Sequence, residues 1–175
     1  NKIISTGAGG AVVTNDNRLA TKIKHLSTTS KLTHKFQYIH DRVGFNYRMP
    51  NINASLGISQ INRIEKFILQ KRKLHKFYAN LFKNLEDVEL LTENENCHSN
   101  YWLNCIILKK INLKTLNSII TKSIDMGFIV RPMWKPMHTL KFCRHFPKDN
   151  LDNTMKAYRT SITLPSSAKL YEKFK

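Results

Sequence analysis

Between Pro50 and Phe82 apolar residues return at helical spacing, through Ile52, Leu56, Ile58, Ile61, Ile64, Ile68, Leu74, Phe77 and Leu81. Pro50 suits the first turn of a helix, where its missing N–H is not needed. A helix over this whole range exceeds the usual globular length, so it is expected to bend or to connect two lobes. That one element divides the chain into 1–49, the helical stretch 50–85, and 86–175.

The flanks are mixed. Gly9 to Thr14 (GGAVVT) reads as a short buried strand, followed by a turn at Asn15–Asp16 and an amphipathic helix to about His25. Ser27 to Arg42 loses periodicity, and an irregular segment of that length is usually functional. After the long helix, strands are expected at Val88–Leu91 and Tyr101–Leu108, a helix at Leu113–Met126 stopped by Gly127, and a strand at Phe128–Arg131. Short helices near Leu140 and Asn153–Tyr158 and a last strand, Ser161–Leu164, complete a small α+β lobe.

Composition limits the partners. Lys and Arg number 29 against 12 Asp and Glu among 175 residues, a formal charge of +17, so an anionic partner is expected. The 41% hydrophobic content excludes intrinsic disorder. No apolar run approaches a membrane span, and no secretory leader is read at the start, where Asn1 looks like a cut edge. Cys97, Cys105 and Cys143 have no CxxC or Cys/His spacing, so neither a disulfide framework nor a metal site is expected and a reducing cytoplasm fits.

Three segments could carry chemistry. In Asn1–Gly10 (NKIISTGAGG), Lys2 precedes apolar residues and a glycine-rich turn. A desolvated lysine there could act as a free amine, although an exposed lysine beside a turn is the plainer alternative, and neither a P-loop nor a dinucleotide fingerprint is matched. Arg42–Asn51 (RVGFNYRMPN) sets Asn46 and Arg48 before a helix N-terminus, suited to phosphate or carboxylate, or else an ordinary loop. Val130–His138 (VRPMWKPMH) mixes aromatic, cationic and proline residues that could stack on a sugar or base, or form a packed corner. Ser99–Asn104 (SNYWLN) reads most simply as a strand start with one buried aromatic face. Aromatics interleaved with bases over Lys31–Arg42 also allow a basic nucleic-acid-binding module, though the cations are spread over most of the chain.

Taken in order, NKIISTGAGGAVVTND, VGFNYRMPNINASLGISQI, SNYWLN, RPMWKPMH and LPSS resemble the later part of the DegT/DnrJ/StrS family of pyridoxal-phosphate-dependent sugar-nucleotide aminotransferases. HLSTTSK and SNYWLN are most similar to the branch making UDP-linked 4-amino-4,6-dideoxy sugars, or sugars of the legionaminic acid and perosamine type. The resemblance implies the C-terminal part of a fold-type I α/β transferase: a remnant of the large cofactor domain at 1–49, a connecting helix at 50–85 and a small domain at 86–175. It implies that Lys2 bonds to pyridoxal 5'-phosphate and moves the proton, and that Asn46 reaches the cofactor phosphate of the other subunit of a homodimer. Arg48 would meet the donor carboxylate or substrate phosphates, while Trp134, His138 and Tyr101 would face the nucleotide-linked keto sugar. Glutamate is the implied amino donor. The family's partner for the pyridine nitrogen, its stacking aromatic and its phosphate turn precede the lysine, so the 175 residues alone are expected to be inactive; a non-catalytic truncated fragment is the remaining alternative.

Overall fold

A computed structural model describes residues 2–174 as two compact units, one of residues 4–63 and one of residues 2–3 with 64–174. No helix among the described residues is long and apolar enough to cross a membrane.

In Ile4–Arg63, helix α1 (Asn17–Ser27) starts where the Asp16 carboxylate accepts from the N–H groups of Arg18 and Leu19 at 2.8 and 3.1 Å. Beyond it, strands β1 (Lys31–Leu32) and β2 (Ile39–His40) form a minimal antiparallel ladder inside the segment expected to be irregular. Residues 26–30 and 43–47 are laced together by main-chain bonds, including Phe45 N–H to Leu26 O at 2.7 Å, Thr29 N–H to Phe45 O at 2.9 Å and Tyr47 N–H to Ser27 O at 2.9 Å. Gly44 makes this approach possible, since a Cβ there would lie 2.4 Å from the Thr29 carbonyl carbon. His25 reinforces the closure with a 2.6 Å contact to Asp41, which holds the Asp41 carboxyl below its usual range.

Two expectations fail here. Gly9–Thr14 forms no strand: the segment has no ladder partner and Val13 is 92% exposed, whereas a strand exists only by pairing. The long helical stretch from Pro50, expected to bend or to connect two lobes, is broken into two helices, α2 (Asn51–Ile61) and α3 (Ile64–Phe82), parted at Asn62–Arg63. The division between the two units falls at the same place. Pro50 is the N-cap rather than the first helical residue.

The larger unit is built on a four-stranded antiparallel sheet in the order β3 (Val88–Leu90), β4 (Asn104–Leu108), β6 (Ser161–Leu164), β5 (Arg131–Pro132). Asn104 faces Leu164 and Ile106 faces Ile162 in the central pair. Pro132 sits on the edge strand, where a missing donor is tolerated. Helix α4 (Leu113–Asp125) supplies Leu116 and Ile120 to a core with Ile106, Leu108, Val130 and Ile162. Gly127, at φ +86, ends the α4 segment as expected. Helix α5 (Asp152–Thr160) leads directly into β6, and short 3₁₀ turns occupy Met137–Thr139 and Lys141–Cys143. Strand β4 begins three residues later than expected because Tyr101 is left-handed, at φ +43.

Candidate active site

The inner face of α3 is polar. Lys71, His75 and Tyr78 are 3%, 6% and 7% exposed, with Leu74 among them. Each polar group serves an incoming turn. Lys71 Nζ donates to the carbonyl of Trp102 at 3.0 Å and to that of Ser166, and Tyr78 donates its hydroxyl to Pro165 O at 2.8 Å. His75 Nδ1 meets Asn104 Oδ1 at 2.9 Å, and Asn104 N–H donates to Ser166 Oγ at 2.8 Å. Burial pushes the Lys71 ammonium down from its ordinary value and the Tyr78 phenol up.

Half-buried Arg72 clamps the next turn. It forms a two-pronged pair with Glu93, at 2.5 and 3.0 Å, and donates to Ser99 O at 2.7 Å, while Ser99 N–H donates back to Glu93 at 2.5 Å. The guanidinium bond, then the Ser99 N–H, hold the Glu93 carboxyl at about 2, far below its ordinary 4.5. Within the turn, Ser99 Oγ accepts from Tyr101 N–H and Asn100 Oδ1 accepts from Trp102 N–H, at 3.0 and 2.9 Å. Tyr101 is pinned by its ring, stacked 3.8 Å from His75 and 5.3 Å from the Arg72 guanidinium.

This framework presents Trp102. Its indole is stacked with that of Trp134 at 6.0 Å and 29°, and Trp134 is 63% exposed. The Lys2 ammonium nitrogen lies 3.5 Å from the Trp102 ring centroid. Lys2, Trp102 and Trp134 thus form one constellation, with the primary amine exposed and no carboxylate among the described residues paired to it.

The other sequence candidates lie elsewhere. Tyr101 is 7% exposed and faces α3, with its hydroxyl 3.4 Å from the Glu93 N–H it accepts from. His138 is half-buried and lines a cavity of about 520 Å³ with Cys143, Phe146 and Leu151, one that Lys2 and Trp134 do not border. In Ile4–Arg63, Asn46 is exposed, with its backbone fixed by a bridge to Thr28. Arg48 borders a cavity of about 1030 Å³ lined by residues 8–14, Ile23, Lys24 and Tyr47.

Trp102, Lys71 and the Arg72–Glu93 pair were not singled out from sequence. The available signal was Lys71 and His75, one turn apart at positions that continue the apolar repeat of Ile64, Ile68, Leu74 and Phe82. Among the described residues no group of three or more His, Cys, Asp or Glu is placed to hold a metal ion. An exposed primary amine resting on an aromatic face fits a carbonyl cofactor, which needs an amine not committed to an ion pair.

The sequence pattern of the DegT/DnrJ/EryC1/StrS aminotransferase family matches residues 1–173. A GDP-perosamine synthase of Escherichia coli O157:H7 is 34% identical over 142 residues, covering 80% of this chain and 37% of the relative. A GDP-perosamine synthase of Vibrio cholerae is 30% identical, covering 95% and 45%. Among solved structures, Helicobacter pylori PseC, an aminotransferase involved in pseudoaminic acid biosynthesis, superimposes with a TM-score of 0.87 at 25% identity, covering 97% of this chain and 46% of that one. The chain spans less than half the length of each of these proteins.

Proposed function

This chain belongs to the DegT/DnrJ/EryC1/StrS aminotransferase family, and we propose that it is the lysine-bearing part of an enzyme that moves an amino group from glutamate to a nucleotide-linked 4-keto-6-deoxy sugar for surface glycans. The observation that carries this reading is the exposed Lys2 amine seated on the Trp102–Trp134 pair. Aminotransferases of this family depend on pyridoxal phosphate, which supplies an electron sink and carries the amino group between substrates.

The protein's own part is attachment and proton movement. Lys2 would hold the cofactor through its ε-nitrogen and, once displaced, its free amine would serve as the base that takes the proton from the donor's α-carbon and the acid that gives it back. Exposed Trp134 gives the sugar nucleotide a flat apolar face; His138 is assigned to the same substrate, while buried Tyr101, stacked on His75, fixes the turn that carries Trp102. Asn46 presents an amide to the cofactor phosphate of a second subunit, and Arg48 presents a guanidinium to a carboxylate or phosphate. Shared sites of this kind call for a homodimer.

The chain, joined to the half its relatives carry before the lysine, is the protein to assay. Pyridoxal phosphate followed by borohydride reduction is expected to mark Lys2, and glutamate is expected to bleach the cofactor band and aminate a UDP- or GDP-linked 4-keto-6-deoxy sugar. Marking of other lysines alone, or a spectrum indifferent to glutamate, refutes the reading. The 175 residues alone are expected not to turn over.

A further inference from the structure

Lys2 is joined to the chain by four rotatable carbons, and a displaced amine must stay close to the atom whose proton it moves. We propose that Trp102 is a positioning residue for this lysine: its indole face is the resting place of the Lys2 amine whenever that amine is not bonded to the cofactor. The inference rests on the assignment of Lys2 given above.

Three observations carry it. The amine is 3.5 Å from the ring centroid, over the negative face that attracts a cation. The residue is fixed rather than free: its main-chain carbonyl accepts from buried Lys71, its main-chain N–H donates to Asn100 Oδ1, and its indole is stacked on Trp134. Tyr101, immediately before it, holds a left-handed backbone that a β-strand would not allow, and the Arg72–Glu93–Ser99 clamp and the His75 stack keep it there. The fold therefore strains one residue and buries a lysine in order to turn one indole, and what that indole faces is the Lys2 amine. Among the described residues no ion pair competes for the amine, so displacement by cofactor needs only an aromatic contact to be given up.

Reductive ¹³C-methylation of the full chain gives each lysine a separable methyl signal, and Lys2→Arg identifies that of Lys2. The expected result is an upfield Lys2 signal, shifted by the indole ring current. It returns to the position of exposed lysines in Trp102→Leu and is retained in Trp102→Phe, which keeps an aromatic face. An unshifted Lys2 signal in the unsubstituted chain, a measurement that needs no variant to fold, overturns the proposal, as does a shift that survives Trp102→Leu. Pyridoxal phosphate and borohydride are applied separately to the unsubstituted protein. Marking that avoids Lys2 refutes the lysine assignment and with it the role of Trp102 in the reaction, whereas marking of Lys2 with an unshifted methyl signal refutes the indole contact alone.

Discussion

Replacing Lys71 with methionine removes two donors while nearly preserving length and volume, so it isolates what the buried ammonium does. The Ser166 carbonyl, in a buried setting, loses its Lys71 donor, at a cost of about 1–3 kcal/mol. The Trp102 carbonyl is half-exposed and can recruit water, so its loss is nearer the net value of one hydrogen bond, about 1 kcal/mol. Against these stands the relief of no longer burying a cation that has only neutral partners, the same effect that pushes the Lys71 ammonium below its ordinary value. The carbonyl losses outweigh it, because a neutral amine would keep both bonds and a thioether keeps neither. The expected net loss is about 1–3 kcal/mol. Both tryptophans, Trp102 and Trp134, lie in the larger unit, so indole fluorescence during guanidinium unfolding reports that unit alone. With a slope of about 4 kcal/mol/M, a 2 kcal/mol loss lowers the midpoint by about 0.5 M. The pH dependence has a fixed sign. Between the lowered folded value and the ordinary 10.5, the unfolded chain binds more protons, so stability rises with pH in that window. Tyr78, raised from 10.0, acts oppositely at the alkaline end, and the difference between parent and variant removes it. A variant as stable as the parent, or one in which the alkaline rise persists, refutes this account of Lys71.

Glu93→Gln removes a carboxylate held at about 2 against an ordinary 4.5, whose contribution is complete above pH 4.5 and lost as pH falls toward 2; the acid limb of the tryptophan-monitored stability curve should flatten in the variant across that window. Gly44→Ala places a methyl 2.4 Å from the Thr29 carbonyl carbon and 2.5 Å from Ser30 N. Amide exchange at Thr29, Phe45 and Tyr47 should then lose protection while that of β4 and β6 does not. Leu116→Ala empties a fully buried site in the α4 core, with an expected loss of about 2–5 kcal/mol in the same guanidinium assay. Asp16→Ala strips two bonds from the start of α1 and should cost about 1 kcal/mol, seen as faster exchange of the Arg18 and Leu19 amides.

What could be read from sequence follows how local its cause is. α4 is bounded by an Asn112 cap and by Gly127, and both signals lie within a few residues of the helix they end. β6 was legible as four apolar or hydroxyl residues, but GGAVVT has the same local appearance and makes no strand, because pairing is decided by segments far away. The break at Asn62–Arg63 has no proline or glycine to announce it. What changes there is the use of the helix face: in α2, Ile52, Ile58 and Ile61 are 84%, 62% and 55% exposed, while α3 buries Lys71, Leu74, His75 and Tyr78. Periodicity counts apolar residues and cannot see a polar face turned inward.

That inward polar face has a cause in hydrogen-bond accounting. Two turns, one ending at Trp102 and one running through Pro165 and Ser166, bring main-chain carbonyls against α3. A helix offers no main-chain donors along its flank, so carbonyls arriving there go unbonded unless side chains reach out to them. Lys71 and Tyr78, seven residues apart, supply the donors, and His75 between them bonds Asn104, whose backbone shares Ser166. Leucine at either end would bury as much apolar surface and leave a carbonyl orphaned. The cost of burying Lys71 is therefore tied to where the chain must place Trp102, and Trp102 was missed in the sequence for the same reason: its position depends on a left-handed Tyr101 and on donors thirty residues upstream, neither of which leaves a periodic trace. Lys2 and Trp134 lie in motifs whose composition suggested a ligand, whereas SNYWLN, which holds Trp102, read as a strand start, and only the folded framework turns its indole toward Lys2 and Trp134.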